Sequence, residues 1–262
     1  MDVARREARL GEGNSVWWPS GTLTALSLLA SAAAEAGSAT FSTTNVQYLY
    51  GTQYELGDDT RSIVTLEHVN AWKYGDNFFF VDITNPDRTG DLTGTEFYGE
   101  ISPRISLSAI TGMKLSGGII KDTLITTTLE MGDAGNGFHN YLYGLAVDLN
   151  VPHVPVFQVN YYVRNEIGAG TDLGSQLTLV WLAPFDLGPT TWAFEGFLDY
   201  AMGNDPREDN LLAGPRLLLD VGKFWGTPGA LQAGLEYQVW RNKFGIKDVD
   251  EDVAQAMVKW IW

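Results

Sequence analysis

From Thr43 onward, apolar and polar residues alternate in short runs. The run at 157–164, for example, reads FQVNYYVR, with apolar or aromatic residues at odd positions and mainly polar ones at even positions. A period of two predicts β-strands with two chemically different faces. Twelve runs follow this pattern, most of them about the length that a tilted strand needs to cross a bilayer. They lie near 43–54, 61–73, 78–85, 96–107, 119–130, 139–149, 155–165, 175–185, 191–201, 210–221, 230–242 and 252–262.

The last run places Val258, Trp260 and Trp262 on one face of a strand. Exposed to water, such a stripe promotes aggregation, whereas in a transmembrane barrel it meets lipid and the interfacial aromatic belt. A final aromatic strand is also the usual signal that outer-membrane assembly machinery recognises, so barrel-assembly machinery is an expected partner. The ending therefore favours a membrane barrel.

A soluble β-sandwich also alternates, with its polar face outward, and the connections between runs distinguish the two folds. If the N-terminus is periplasmic, the odd-numbered connections are extracellular, and they hold 15 of the 32 acidic residues. The even-numbered ones carry little acid. Such two-sided asymmetry is natural for a barrel that crosses a membrane and accidental for a sandwich. We therefore predict an all-β, transmembrane antiparallel β-barrel of about twelve strands, with both termini on one side.

Composition narrows the class further. No apolar stretch of about 20 residues follows residue 36, which argues against transmembrane helices. The absence of cysteine excludes disulfides and thiolate metal sites. A net charge of −15 argues against nucleic-acid binding, which needs clustered cations. No His, Asp and Glu cluster has metal-ligand spacing, so neither metal nor cofactor is expected.

The N-terminal segment, residues 1–36, is predicted to be a cleaved signal peptide. It combines Arg5, Arg6 and Arg9 with a short apolar run at 23–34 and an Ala-Glu-Ala cleavage pattern at 34–36. The barrel is then expected to occupy residues 37–262.

Several strings resemble the nucleoside-specific channel-forming outer-membrane porins, the Tsx-like family, and especially its OmpK-like branch. They are NVQYLYG at 45–51, TLEHVNAWKYGD at 65–76, FYGEISPRISL at 97–107, YLYGLAVDLN at 141–150, FEGF at 194–197 and YQVWRNKFG at 237–245. The strings around Glu67 and around Glu100 and Arg104 are the specific ones. The resemblance implies a monomeric twelve-stranded barrel with a narrow nucleoside pore in the outer membrane of a Gram-negative bacterium. Because some relatives are surface antigens or phage receptors, it also implies phage as a partner.

A neutral nucleoside requires aromatic faces for its base and polar groups for its hydroxyls. The predicted inward faces supply both. In the second strand, Glu67 and His68 compete for the inward position, and Glu67 is favoured because a lipid-facing carboxylate is costly. Inward charges have an alternative role, since acids and bases can pair across the wall and stiffen it. The candidates are Glu67, Phe78, Phe80, Tyr98, Glu100, Arg104, Glu130, Tyr162, Arg164, Glu195, Phe197, Arg216, Glu236, Trp240 and Lys259.

The predicted function is passive, selective uptake of nucleosides and similar small solutes, in contact with outer-membrane lipid and lipopolysaccharide. Two alternatives stay open: a general small-solute porin, and a surface receptor or antigen with little transport. Catalysis is not expected, because the chain has only three histidines and none lies in a recognisable triad string.

Overall fold

In the computed structural model, the described residues are 39–86, 94–133, 137–168, 172–203 and 206–262. The predicted signal peptide and the acidic residues Asp87, Asp91 and Asp205 lie outside them. Strands account for most of the described chain. They are β1 (Ala39–Thr52), β2 (Thr60–Trp72), β3 (Gly75–Thr84), β4 (Glu96–Ser106), β5 (Ile120–Gly132), β6 (Phe138–Leu149), β7 (Val156–Glu166), β8 (Gly174–Leu187), β9 (Thr190–Met202), β10 (Asn210–Ala213), β11 (Arg216–Asp220), β12 (Leu231–Arg241) and β13 (Glu251–Ile261).

The strands form one closed antiparallel barrel in which sequence neighbours are hydrogen-bonded neighbours. Closure comes from β1 and β13, which pair from Asn45 opposite Ile261 to Gly51 opposite Gln255. Both β10 and β11 pair with β9 on one side and β12 on the other, so they are two parts of a tenth strand. Pro215 lies between them and has no N–H for the ladder. Counted in this way the barrel has twelve strands, as predicted.

The two faces of the sheet have the predicted orientation. Along β13, alternate residues from Glu251 to Lys259 are buried, and those between them are exposed. Outward aromatic and aliphatic side chains are exposed on the barrel surface: Tyr161 is 49% exposed, Leu235 57% and Trp260 62%. Apolar side chains therefore cover the outside, where they meet hydrocarbon, and the polar positions line the interior.

The connections lie at two ends, which we name by the chain termini. The terminal end holds both termini of the barrel and the connections 73–74, 107–119, 150–155, 188–189 and 221–230. The loop end holds 53–59, 85–95, 133–137, 167–173, 203–209 and 242–250. Strand limits differ slightly from the sequence prediction: β1 begins at Ala39 and β3 at Gly75, because a two-residue turn suffices between β2 and β3.

One short helix, α1 (Leu107–Thr111), follows β4 at the terminal end. The Ser106 hydroxyl caps it by accepting from the backbone N–H of Ala109, and Gly112 ends it in the left-handed conformation with φ 71°. Within the described residues, no helix is long and apolar enough to cross a membrane.

Candidate functional site

The fifteen candidate side chains all lie at inward positions of their strands. Inward residues of one strand lie opposite inward residues of the next strand, and they are mostly buried or half-buried. This holds for the pairs formed by β3, β4, β5, β6, β7, β9 and β12. Whether they touch a solute stays a prediction; their location in the interior is a structural fact.

The structure settles the register of β2. The Glu67 carboxylate accepts hydrogen bonds from Asn45 at 2.8 Å and Gln47 at 3.3 Å, both of which face inward from β1. His68 faces outward, where it bonds Thr44 at 2.8 Å and stacks on Phe79 with ring centroids 5.5 Å apart. The cost of a lipid-facing carboxylate therefore identified the correct face.

Burial divides the interior into packed and accessible walls. Inward residues of β1 and β13 are almost completely covered: Gln47 and Gln255 have no exposed surface and Lys259 is 7% exposed. Inward residues of β5, such as Thr126 and Glu130, are covered as well. By contrast, inward positions of β3 and of β9 from Glu195 to Ala201 are half-buried and keep some exposed surface. Since β3 and β9 are six strands apart in a barrel of twelve, the accessible walls face each other.

An aromatic run lines the first of these walls. Phe78 and Phe80 of β3 have ring centroids 5.7 Å apart, Phe80 and Tyr98 of β4 also 5.7 Å, and Tyr98 and Phe138 of β6 6.1 Å. This series of rings extends from near the terminal end toward the loop end. Rings at this spacing let a planar ligand keep contact with one ring while it reaches the next.

Two inward glycines give the rings room beside the wall. A Cβ atom at Gly132 would lie 2.5 Å from the Phe138 ring, and one at Gly214 would lie 2.8 Å from the Phe197 ring. Both distances are shorter than any real carbon contact, so each ring lies where only glycine leaves space. Phe197 is the aromatic side chain of the facing wall, on β9.

We expect Gly132→Ala to break the aromatic run without removing a ring. The added methyl group displaces Phe138 from its place beside Tyr98. Block of ion current by a planar heterocycle should then weaken by a few-fold, less than on loss of a ring. Single-channel recording with adenosine measures this. Gly117→Ala, where an added methyl group meets no atom within 4 Å, is the control. Equal block in wild type and Gly132→Ala would contradict the role of Phe138.

Carboxylates accompany the aromatic rings near the middle of the barrel. The Tyr98 hydroxyl donates to Glu100 at 2.5 Å, and Glu100 lies opposite Glu130 in the β4–β5 register. Glu130 is bound by Arg164 at 2.7 Å and by Asn140 at 2.8 Å. Arg164 therefore neutralises Glu130, whereas the described contacts of Glu100 are with a hydroxyl. This leaves Glu100 able to accept bonds from the hydroxyls of a passing sugar.

Two other ion-pair groups tie strands together. Arg104 on β4 binds Asp76 of β3 at 2.7 Å and Asp148 of β6 at 2.8 Å. Lys259 on β13 binds Glu195 of β9 at 2.7 Å. Both groups link strands that are not neighbours in the sheet, so they cross part of the interior. They match the wall-stiffening alternative stated for inward charges.

Arg216, Glu236 and Tyr162 also form contacts within the wall of the barrel. Arg216 bonds Glu236, whose other oxygen accepts from Gln255 at 2.9 Å. Tyr162 is only 4% exposed, and its hydroxyl bonds Thr126 at 2.9 Å. These three contact the wall, and the more accessible Phe80, Tyr98, Glu100 and Phe197 are better placed to meet a solute.

A cluster of Leu49, Leu218 and Met257, joined by Ile63, fills part of the packed interior. These residues sit on β1, β11, β13 and β2 at inward positions, where the simple rule of polar residues inside predicts hydrophilic ones. Leu49, Leu218 and Met257 are 0–3% exposed, so this side of the lumen is a small dry core.

A buried ion pair locks two connections of the loop end, and we call it the loop latch: Lys243, Glu251 and Glu55. Lys243 bonds Glu251 at 2.6 Å and the backbone carbonyl of Glu55 at 3.0 Å, while the Glu55 backbone N–H donates to Glu251 at 2.6 Å. Lys243 and Glu251 are each 1% exposed. Burial lowers the pKa of Lys243, and the bond to Glu251 opposes that shift.

The latch continues into other loops. The Glu208 N–H donates to the Gly245 carbonyl at 3.0 Å, and Asn242 donates to the Asp209 carbonyl at 2.8 Å. Arg207 then pairs with Glu166 at the end of β7 at 2.5 Å. Trp240, which faces inward just below, lies 4.6 Å from the Lys243 ammonium and from the Phe244 ring. Hydrogen bonds and ion pairs therefore link the connections 53–59, 203–209 and 242–250 with the end of β7.

Sequence reasoning missed two of these residues. Phe138 was assigned to a connection, although it continues the even-numbered inward alternation of Asn140 and Leu142 by one step. Lys243 was placed in an acidic connection, and nothing in the local pattern marks it as buried. Among the described residues, no group of three or more His, Asp and Glu side chains is positioned to hold a metal ion.

A closed antiparallel barrel with an apolar exterior and a charged, aromatic interior defines an outer-membrane channel. Residues 37–260 match the family model described as "Nucleoside-specific channel-forming protein, Tsx". The chain belongs to this family, and its location is the outer membrane of a Gram-negative bacterium.

The chain is also similar to individual known proteins. The chain is 24% identical over 249 residues to an outer membrane protein OmpK of Vibrio parahaemolyticus serotype O3:K6 (strain RIMD 2210633), covering 87% of this chain and 92% of that protein. A second Vibrio parahaemolyticus OmpK is 26% identical over 180 residues, 67% of each chain. Among solved structures, the KdgM porin superposes with a TM-score of 0.48 at 12% identity, covering 82% of this chain and 98% of that one.

Proposed function

We propose that this channel conducts nucleosides by passive diffusion between the aromatic run and the facing wall around Phe197. The observation that carries the proposal is the continuous series of rings from Phe78 to Phe138, accompanied by Glu100. The family description supports the same solute class.

Each part of a nucleoside finds a suitable group along this path. The base is a flat aromatic ring that stacks on Phe80, Tyr98 and Phe197, and stacking does not depend on which base is present. The sugar hydroxyls donate to Glu100, whose carboxylate offers several acceptor positions. Because the rings follow one another at about 6 Å, contacts are exchanged one at a time, and no single deep site holds the solute.

Permeation by matched solutes tests the proposal directly. Proteoliposomes containing the purified barrel should swell faster with adenosine or thymidine than with sugars of similar size, and adenosine should block single-channel ion current. Equal swelling with nucleosides and sugars would show a general small-solute porin instead. A channel closed to ions and to every solute would favour a surface receptor.

Removal of single rings tests the stacking contacts. We expect Tyr98→Ala and Phe197→Ala each to weaken adenosine block by about five- to a hundredfold, since stacking contributes about 1–3 kcal/mol per base. Tyr98→Phe keeps the ring and loses only the hydroxyl bond to Glu100, which separates stacking from that hydrogen bond.

Outward aromatics on the same strands are matched controls. Phe97→Ala and Phe194→Ala remove rings of the same kind from the lipid-facing side of β4 and β9, where they are 44% exposed. These two variants should leave block unchanged. Unchanged block in both inward variants would contradict stacking at these positions.

A further inference from the structure

The connection 107–119 at the terminal end presents apolar side chains to the surroundings of the barrel. Ile110 is 51% exposed, Met113 57% and Ile119 59%. The connection is nevertheless folded, because the Leu115 N–H donates to the Ser108 hydroxyl at 3.3 Å. Its exposed residues are therefore held in place by the fold.

This connection rests on the outer face of the barrel. The Thr123 hydroxyl donates to the Leu115 carbonyl at 3.1 Å. Thr123 faces outward, since its neighbour Leu124 is buried in the interior at 2% exposure. The connection thus lies beside the lipid-facing surface of β5.

A groove of about 320 Å³ lies next to it. The Ile119 carbonyl accepts a bond from the Asn150 N–H at 2.7 Å, which joins the connection to the groove wall. The lining is apolar apart from one amide and one ammonium, and it consists of Lys121, Leu149, Asn150, Val151, Pro152, Val154 and Pro155.

The connections of the terminal end carry cations without acids. These five connections contain Lys73, Lys114 and Lys223 and no Asp or Glu, whereas the connections of the loop end contain twelve. Acidic residues at this end lie on the strand ends, and one of them, Asp186, is 4.0 Å from Lys223. Lys114 and Lys121 are exposed, and among the described residues neither ammonium has a hydrogen-bonded or ion-pair partner. A free ammonium at the rim of an apolar groove is suited to a phosphate that carries hydrocarbon chains.

We propose that this groove binds an anionic glycerophospholipid of the periplasmic leaflet, with its phosphate on Lys121 and its chains along Leu149 and Ile119. An even strand number brings both termini to the terminal end. We assign this end to the periplasm, the side on which outer-membrane barrels keep their short turns, such as 73–74 and 188–189 here. The connection 107–119 then inserts Ile110 and Met113 into the interface of the same leaflet, with Lys114 at the headgroup level.

Native mass spectrometry of the detergent-solubilised barrel measures binding with defined lipids. Phosphatidylglycerol should remain bound more strongly than phosphatidylcholine, and Lys121→Gln should weaken phosphatidylglycerol binding about fivefold. Lys247→Gln, an exposed lysine of the loop end, is the matched control and should change nothing. Equal loss in both lysine variants, or none in Lys121→Gln, would overturn the proposal.

Two further measurements distinguish other ligands of the groove. Excess sn-glycerol 3-phosphate should leave the lipid bound; complete displacement would mean a site for soluble phosphate. Equal binding of the two lipids would mean a chain-binding groove without phosphate recognition, which also contradicts the proposal.

Insertion of the connection is measured by spin labels, which the absence of native cysteine makes specific. In vesicles containing phosphatidylglycerol, a nitroxide at Met113→Cys should be accessible to oxygen and protected from a water-soluble nickel reagent. A label at Asp209→Cys at the loop end should show the opposite. Equal exposure to the nickel reagent at both positions would exclude insertion.

Discussion

Arg104→Met is expected to lower the free energy of unfolding of the barrel by about 3–5 kcal/mol. The guanidinium is 5% exposed and binds Asp76 through two bonds and Asp148 through two more. Removal of the cation leaves two half-buried carboxylates side by side, without the charge that stabilises them. Urea unfolding in detergent micelles or liposomes, followed by tryptophan fluorescence, measures the change.

A charge-neutral variant separates a lost ion pair from a lost side chain. The triple variant Arg104→Met, Asp76→Asn, Asp148→Asn removes all three charges and should recover much of the stability, because no unpaired carboxylate remains. If Arg104→Met alone unfolds at the wild-type urea concentration, Arg104 is not a structural residue. Its place among the solute-contacting candidates would then be strengthened.

Lys243→Met is expected to open the rim of the loop end, with a local cost of about 3–5 kcal/mol. Glu251 would remain buried at 1% exposure with no cation, and the Glu55 carbonyl would lose its donor. Hydrogen exchange at the Glu55 amide, which donates to Glu251 in the wild type, should become much faster. Exchange in the strands far from the latch should not change.

Two further variants make the test of the latch specific. Lys247→Met alters an exposed lysine of the same connection and should leave exchange at Glu55 as in the wild type. The pair Lys243→Met with Glu251→Met removes both charges and should recover part of the stability, though not the bonds to Glu55. Slow exchange at Glu55 in Lys243→Met would show that the connections hold together without the latch.

The barrel could be predicted from the sequence because its two faces are read directly from a period of two. Phe157 and Tyr161 are outward, as the alternation at 157–164 predicts, and the inward position of Glu67 followed from the cost of placing a carboxylate in lipid. These inferences use only the local sequence and the solvent on each side of the sheet.

The partners of the inward charges could not be predicted in the same way. Arg104 with Asp148 and Lys259 with Glu195 depend on which strands approach each other across the interior. Alternation shows that a residue points inward but says nothing about what lies opposite. The loop latch is still harder to predict, because Lys243 and Glu55 are 188 positions apart and both lie in connections between strands.

Apolar residues inside the barrel were the other exception. Leu218, Gly234, Met257 and Leu49 lie opposite one another in the register of β11, β12, β13 and β1. Because Gly234 has no side chain, the three apolar side chains can pack together on one side of the lumen. Within the sequence of β1 alone, Leu49 is only an apolar residue at a position where the alternation predicts a polar one. Its role becomes visible only when β11, β13 and β1 are brought together by closure of the sheet.

The contrast between packed and accessible walls has a consequence for sieving. Because the inward side chains of β13, β1 and β5 are covered and those of β3 and β9 are half-buried, we expect the free cross-section to be narrow in one direction and to lie between β3 and β9. A slot discriminates by thickness instead of mass, so a thin heterocycle enters edge first while a rounded molecule of equal weight meets both flanks. Orientation would then be imposed on the cargo before any particular chemical group is recognised.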